Sequence, residues 1–255
     1  MFTESQDHAL MISCFVHDLA AQRRYGSARL SYVLCAFLLC GGWVVAETTL
    51  MGCERPSMGH VELAKWDQSD GRHLDVIREV GVGAAIAVDI CYADVTVRAG
   101  KDNLLKMVVD FDNGVPKMAP VGYLQEMNVQ SQAVSIKLPL PERPRAKVIL
   151  VIPATTSSLQ LKLGRGDLKF DADGTAGERK IKLLSGHIDI LASPDSYLTL
   201  QAHVSKAKLY DRQSAGEKAH KKKAHKLTSK LITGTGQGSI EIEVVRGRVD
   251  LWAAD

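Results

Sequence analysis

The sequence predicts an all-β protein built from repeats with glycine turns, a repeat-built β-solenoid or, as the alternative its pattern leaves open, a β-sandwich. Three observations lead there. First, one short phrase recurs, as Gly166-Asp167-Leu168-Lys169-Phe170, Gly186-His187-Ile188-Asp189-Ile190, Gly238-Ser239-Ile240-Glu241-Ile242 and Gly247-Arg248-Val249-Asp250-Leu251. Second, each copy is a turn residue followed by a period-two strand, which makes Gly166, Gly186, Gly238 and Gly247 the expected structural turns. Third, no helical period separates the copies, and units of about 20 residues suit stacked β repeats better than βαβ units. A single copy buries too little by itself, so copies must stack on a shared core.

At the N-terminus, residues 1–46 read as a signal peptide or signal anchor. Arg23, Arg24 and Arg29 precede the apolar run 30–46, and Val44-x-Ala46 before Glu47 offers a small-residue cleavage site. The run is short against the roughly 20 apolar residues of a stable spanning helix. Cleavage near Ala46 makes the expected location extracytoplasmic, in the periplasm or at the cell surface; an uncleaved signal leaves the chain membrane-anchored. The long segment before the arginines also admits Met11 as the start. Leu50-Met51-Gly52-Cys53 resembles a lipoprotein processing box in which Met51 is a poor fit. Of the five cysteines, Cys14, Cys35 and Cys40 fall in or before the signal, which leaves Cys53 and Cys91 as the candidate disulfide.

Residues 47–73, with Pro56, Gly59 and Gly71, form a polar linker or cap. The strand-repeat domain is expected over 74–255. Strands are expected at 86–90, at 93–97 with Ala93 in the glycine place, at 105–111 and at 134–138. Pro116, Pro120, Pro139, Pro141 and Pro144 make the middle irregular, because proline cannot donate to a ladder. The continuous apolar run 147–153 reads as a strand buried on both faces. Beyond Pro153 each unit reads strand, Gly/Ser turn, strand: 159–163 before Gly166, and 180–184 before Gly186. The strand 198–202 precedes a decayed copy, Ser205-Lys206-Ala207-Lys208-Leu209. A Lys/His-rich loop, 212–226, is inserted before Leu227.

Val151-Ile152-Pro153-Ala154 running into Leu161-x-Leu163-Gly164-x-Gly166-Asp167-Leu168 resembles the bacterial putative-adhesin family of exported β-strand-repeat proteins. Ser185-Gly186-x-Ile188-x-Ile190 and Gly236-x-Gly238-Ser239-Ile240 carry the same resemblance. It implies an export signal or membrane anchor before a right-handed β-solenoid-like domain, and adhesion only by analogy, since the shared motifs are structural turns.

The 255 residues carry a net charge of +3 and only 5% aromatics, too mild a field and too few stacking platforms for nucleic acid to be expected as a partner. Lys218, Lys221, Lys222, Lys223 and Lys226 are the candidate contacts to an anionic surface, weighed against a plain solvated loop. His220 and His225 are five residues apart but lack further ligands, and His187 and His203 read as isolated strand residues, so no metal or cofactor is expected. Gly164-x-Gly166 and Gly234-x-Gly236-x-Gly238 precede strands rather than the helix a phosphate loop needs. Asp167, Asp189, Glu241 and Asp250 share the outer face, where lysines such as Lys162, Lys169 and Lys182 offset them. No nucleophile–base signature is present. The expected function is a non-enzymatic exported scaffold at the cell envelope, adhesin-like or a binding surface. Its expected partner is an envelope protein or an anionic surface polymer. An envelope-stress or assembly component is the alternative, and a polysaccharide-active enzyme a more remote one.

Overall fold

The computed structural model describes residues 64, 67–112, 114–175, 177–213 and 228–253. They form twelve strands and one 3-10 turn: β1 (Gln68–Ser69), β2 (His73–Glu79), β3 (Ala85–Gly100), β4 (Leu104–Asp110), η1 (Pro120–Tyr123), β5 (Glu126–Gln130), β6 (Ala133–Leu138), β7 (Ala146–Pro153), β8 (Ser158–Asp171), β9 (Glu178–Leu191), β10 (Thr199–Asp211), β11 (Ser229–Thr233) and β12 (Ser239–Trp252). They pair in one sheet, in the order β1-β2-β4-β7-β3-β8-β9-β12-β10-β11, with β6 attached to β3 and β5 to β6. The all-β expectation holds. Among the described residues, no helix is long and apolar enough to cross a membrane.

The regular part is a parallel stack of five long strands, β3, β8, β9, β12 and β10, in register. The inward face follows period two. Leu159, Leu161 and Leu163 of β8 are buried, as are Ile240, Ile242 and Val244 of β12. Then the parity changes: burial continues at Leu168 and Phe170 on β8, and at Val249 and Leu251 on β12. An odd number of residues has been inserted into each strand, and it falls at one level of the stack. Cys91, Gly164, Leu184, Val245 and Ser205 are the residues left out of the pairing. An aligned bulge of this kind turns every strand at the same corner and keeps its apolar side inside. Each long strand therefore has two legs, one before the corner and one after it.

Small residues line that corner. Ala146, Ala93, Gly166, Gly186, Gly247 and Ala207 form one cross-strand row. Gly186 has φ +147°, and a Cβ there would fall 1.7 Å from the carbonyl oxygen of Gly166; Gly247 stands in the same relation to Gly186. Backbone occupies the space, so a side chain cannot be accommodated by a rotamer change.

Four expectations are corrected. Gly238 is not a corner glycine: it stacks on Gly177, where the first leg begins, so the phrase at 238 and the phrase at 247 are the two legs of one strand. In β10 the residue in the glycine row is Ala207 and not Ser205, which is the unpaired one. The Gly/Ser turns do not separate strands, because β8, β9 and β12 each run unbroken through them. Finally, the run 147–153 is buried on one face, with Ile149 and Val151 only half-buried, because nothing among the described residues packs fully on its outer side. The copies also do not stack in chain order, since β12 lies between β9 and β10.

Candidate functional site

Outward-facing residues of the second legs form a lattice, since parallel register lines up the same position in each strand. On β9, β12 and β10 the rows are His187, Arg248 and Lys208; then Asp189, Asp250 and Tyr210. Leu191 and Trp252 continue a third row, which Arg212 joins by donating its backbone N–H to the Leu251 carbonyl at 2.8 Å. Asp250 is at the centre of this patch. Alternation points it outward, yet its side chain is 0% exposed because its neighbours fold over it.

Its carboxylate is heavily engaged. Arg212 donates Nε to Oδ1 at 2.7 Å, and Arg248 donates Nη2 to Oδ1 at 2.8 Å and Nε to Oδ2. His187 Nε2 lies 2.8 Å from Oδ2. Burial alone would raise the pKa of Asp250, but the bonds from Arg248, Arg212 and His187 outweigh it and hold the carboxyl below the usual aspartate value. The arginines are fixed in turn by aromatic faces. The Arg248 guanidinium carbon lies 4.6 Å from the Tyr210 ring centre, and that of Arg212 lies 4.7 Å from the Trp252 ring and 5.7 Å from Tyr210. Trp252 donates its indole N–H to Asp189 at 3.0 Å. Gln213 closes the patch, its amide donating to the carbonyls of Ala192 and Trp252, each at 3.3 Å.

The ligand atoms of His187, Asp189 and Asp250 lie within 4.8 Å of one another, a spacing a metal ion accepts. Two guanidinium groups already neutralise Asp250, so a dication would meet like charge there. This is a compact set of polar and aromatic groups locked in fixed positions, with arginine donors and one carboxylate facing outward.

A cleft of about 560 Å3 lies at the corner near β3 and β8, lined by Tyr92, Glu142, Arg143, Arg145, Arg165, Asp167 and corner glycines. Most of its charges are paired, Arg165 with Glu142 at 2.7 Å, and Arg145 with Asp94 and, at 3.5 Å, with Asp167; Arg143, which also lines it, has no ion pair among the described residues.

Of the residues singled out from sequence, Gly166, Gly186 and Gly247 line the corner and Gly238 begins the first leg of β12. Cys91 is 3% exposed at the corner of β3 and is disulfide-bonded. Cys53 lies outside the described residues, as do Lys218, Lys221, Lys222, Lys223, Lys226, His220 and His225. The start of the expected insertion, Arg212 and Gln213, belongs instead to the patch around Asp250. His187 is not isolated, because its partner comes from a strand far along the chain. Sequence reasoning missed Arg212, Arg248, Tyr210 and Trp252. The signal that could have found the last two is a tyrosine and a tryptophan at outward parity in an aromatic-poor chain.

No family model matches the chain, and no curated protein matches it. It is similar to a solved structure described as a putative cell adhesion protein from Clostridium sporogenes, at TM-score 0.46 and 10% identity, over 73% of this chain and 100% of that one. A likeness of that degree carries no argument about this protein's activity.

Proposed function

We propose that the chain is an exported, non-enzymatic β-solenoid scaffold that binds through its outer face at the cell envelope, in the adhesin-like manner its motifs resemble. The observation that carries this reading is the in-register stack. Parallel strands joined at one aligned corner make a stiff body, and its outer side chains repeat at the strand spacing of about 4.8 Å. The solenoid reading is supported by the two-legged strands and short links such as 172–177, which return the chain from the end of β8 to the start of β9. Export is supported by the arginine, apolar and Val-x-Ala order of 23–46 and by the disulfide at Cys91, since disulfides persist in oxidising compartments.

Two measurements on cell-derived protein test the reading. N-terminal sequencing should find Glu47; a lipid-modified start at Cys53 would make the chain a lipoprotein, and a retained Met1 or Met11 would make it membrane-anchored. Co-sedimentation with washed envelope fractions should be saturable. A protein that stays cytoplasmic and ignores those fractions contradicts the proposal.

A further inference from the structure

We infer that the patch centred on Asp250 is a binding site for an acidic saccharide, a sugar ring carrying a carboxylate beside free hydroxyls. The inference rests on the scaffold reading and names the ligand class for one place on its outer face.

Asp250 leaves part of each guanidinium available. Its carboxylate takes Nε of Arg212 and both Nε and Nη2 of Arg248. Both terminal nitrogens of Arg212 and the Nη1 of Arg248 then have no acceptor among the described residues. Arginine ordinarily loses much side-chain freedom when it binds. Here that freedom is already gone: Arg212 is fixed by its backbone bond to Leu251, by Asp250 and by two rings, and Arg248 by Asp250 and Tyr210. Pre-organised guanidinium donors match a planar carboxylate, which takes two parallel N–H bonds.

Asp189 decides which anion fits. It is about one-third exposed, and its Oδ2 accepts no bond among the described residues. A bare anion against Arg212 would be repelled by it. A ligand that brings hydroxyl donors next to its carboxylate satisfies the arginines and Asp189 together, and that combination is the chemistry of a sugar acid. His187 offers a further polar contact on the same side. Trp252, 37% exposed, and Leu191, 40% exposed, provide an apolar rim against which the C–H face of a pyranose can lie. The alternative of a metal at His187, Asp189 and Asp250 requires displacing the contacts of two arginines and the Trp252 indole.

The test titrates the full protein with sodium glucuronate, glucose, inorganic phosphate and calcium chloride, by calorimetry and by the NMR signal of the Trp252 indole N–H. Glucuronate should saturate over a millimolar titration and move that signal, while glucose and phosphate bind about tenfold more weakly or not at all. Arg212→Lys, which retains charge but loses the fork, should weaken glucuronate about tenfold in a protein that still unfolds in one cooperative transition. Lys169→Ala, on the same outer row two strands from Asp250, should leave binding unchanged. Phosphate binding as well as glucuronate, a response to calcium, or no response to glucuronate each overturns the assignment. Envelope co-sedimentation on the same preparation separates the two ideas: if it persists while glucuronate fails, only the ligand assignment falls, and if it is lost too, the scaffold reading falls with it.

Discussion

The corner of the sheet is built in two ways. In β8, β9 and β12 the chain runs straight through it, over Gly166, Gly186 and Gly247, with backbone packed on backbone. On the other side of β3, two separate strands do the work of one. β6 pairs with the first leg of β3 and β7 with the second, and the prolines at 139, 141 and 144 occupy the gap between them. Ala146 of β7 still takes the corner row beside Ala93, so the register survives the interruption. The difference shows what the glycines are for. Where the strand is continuous, the corner is tight and excludes any side chain; where a proline-bearing segment spans it, the corner opens into a cleft. The period-two burial is the same in both, because it depends only on which face each leg turns inward.

The largest expected effect breaks the tight corner. Gly186→Ala combines left-handed backbone strain with overlap on the Gly166 carbonyl, a loss of roughly 3–5 kcal/mol by urea unfolding. Gly83 also has positive φ, +77°, but nothing lies within 4 Å of a Cβ there. Gly83→Ala should therefore cost only about 1 kcal/mol. Equal losses at the two sites would show that φ alone matters and that the stacked corner does not.

Arg179 gives the next effect. It occupies an inward position in the row of Ile86, Leu159, Ile240 and Leu200, is 1% exposed, and has no carboxylate among its partners. Its guanidinium instead donates to three links: to the Thr175 carbonyl at 2.6 Å, to Ser196 at 3.1 Å and to Gln237 at 3.2 Å. Burial lowers its pKa from the ordinary arginine value, while the ring of carbonyls offsets the cost of burying the charge. Arg179→Ala leaves those carbonyls without a donor and should cost about 3 kcal/mol. Hydrogen exchange should rise together in 172–177, 192–198 and 234–238. A rise confined to one link would show that Arg179 does not tie them together.

The smallest effect is a pH slope on the open side. Asp89 lies on the first leg of β3, across from Lys137 of β6 and Lys162 of β8, in a hollow of about 220 Å3 that Glu126 also lines. Its Oδ1 is buried without a partner among the described residues. Desolvation raises its pKa and outweighs the lowering by the two lysines. The folded protein therefore binds a proton that the unfolded chain lacks in the window just above the ordinary aspartate pKa. The stability this adds is present below the raised pKa and lost as pH rises through it. Asp89→Asn should flatten the slope in that window; an unchanged slope assigns it to another group.

Much of this was legible in the sequence, and the failures share a cause. Period-two alternation marks Leu159, Leu161, Leu163, Ile188 and Ile190 as inward, and the glycines at 166, 186 and 247 mark the level where strands turn. Arg179 was legible in principle, since its parity matches Ile181 and Leu183, but an arginine in an apolar row reads as an error in the pattern. What local pattern does not encode is which strands become neighbours. The place of β12 between β9 and β10 is a pairing between segments distant in the chain, and the copy at 238 carries the same letters as the corner copies. For the same reason the meeting of His187 with Asp250, of Trp252 with Asp189, and of Arg212 with Asp250 and Trp252 was not readable, because each joins segments distant in the chain.

The patch around Asp250 exists only because β12 lies between β9 and β10 in register. Lys180 and Gln201 are both in register with Glu241, on opposite sides of it. Disulfide formation needs Cα atoms about 4.4–6.8 Å apart, a condition met by adjacent strands and not by strands two apart. Two double variants decide the matter, Lys180→Cys with Glu241→Cys and Lys180→Cys with Gln201→Cys, oxidised in the folded state and mapped by mass spectrometry. A crosslink is expected between positions 180 and 241 and none between 180 and 201. The opposite result, with repeats stacked in chain order, would contradict that placement of β12.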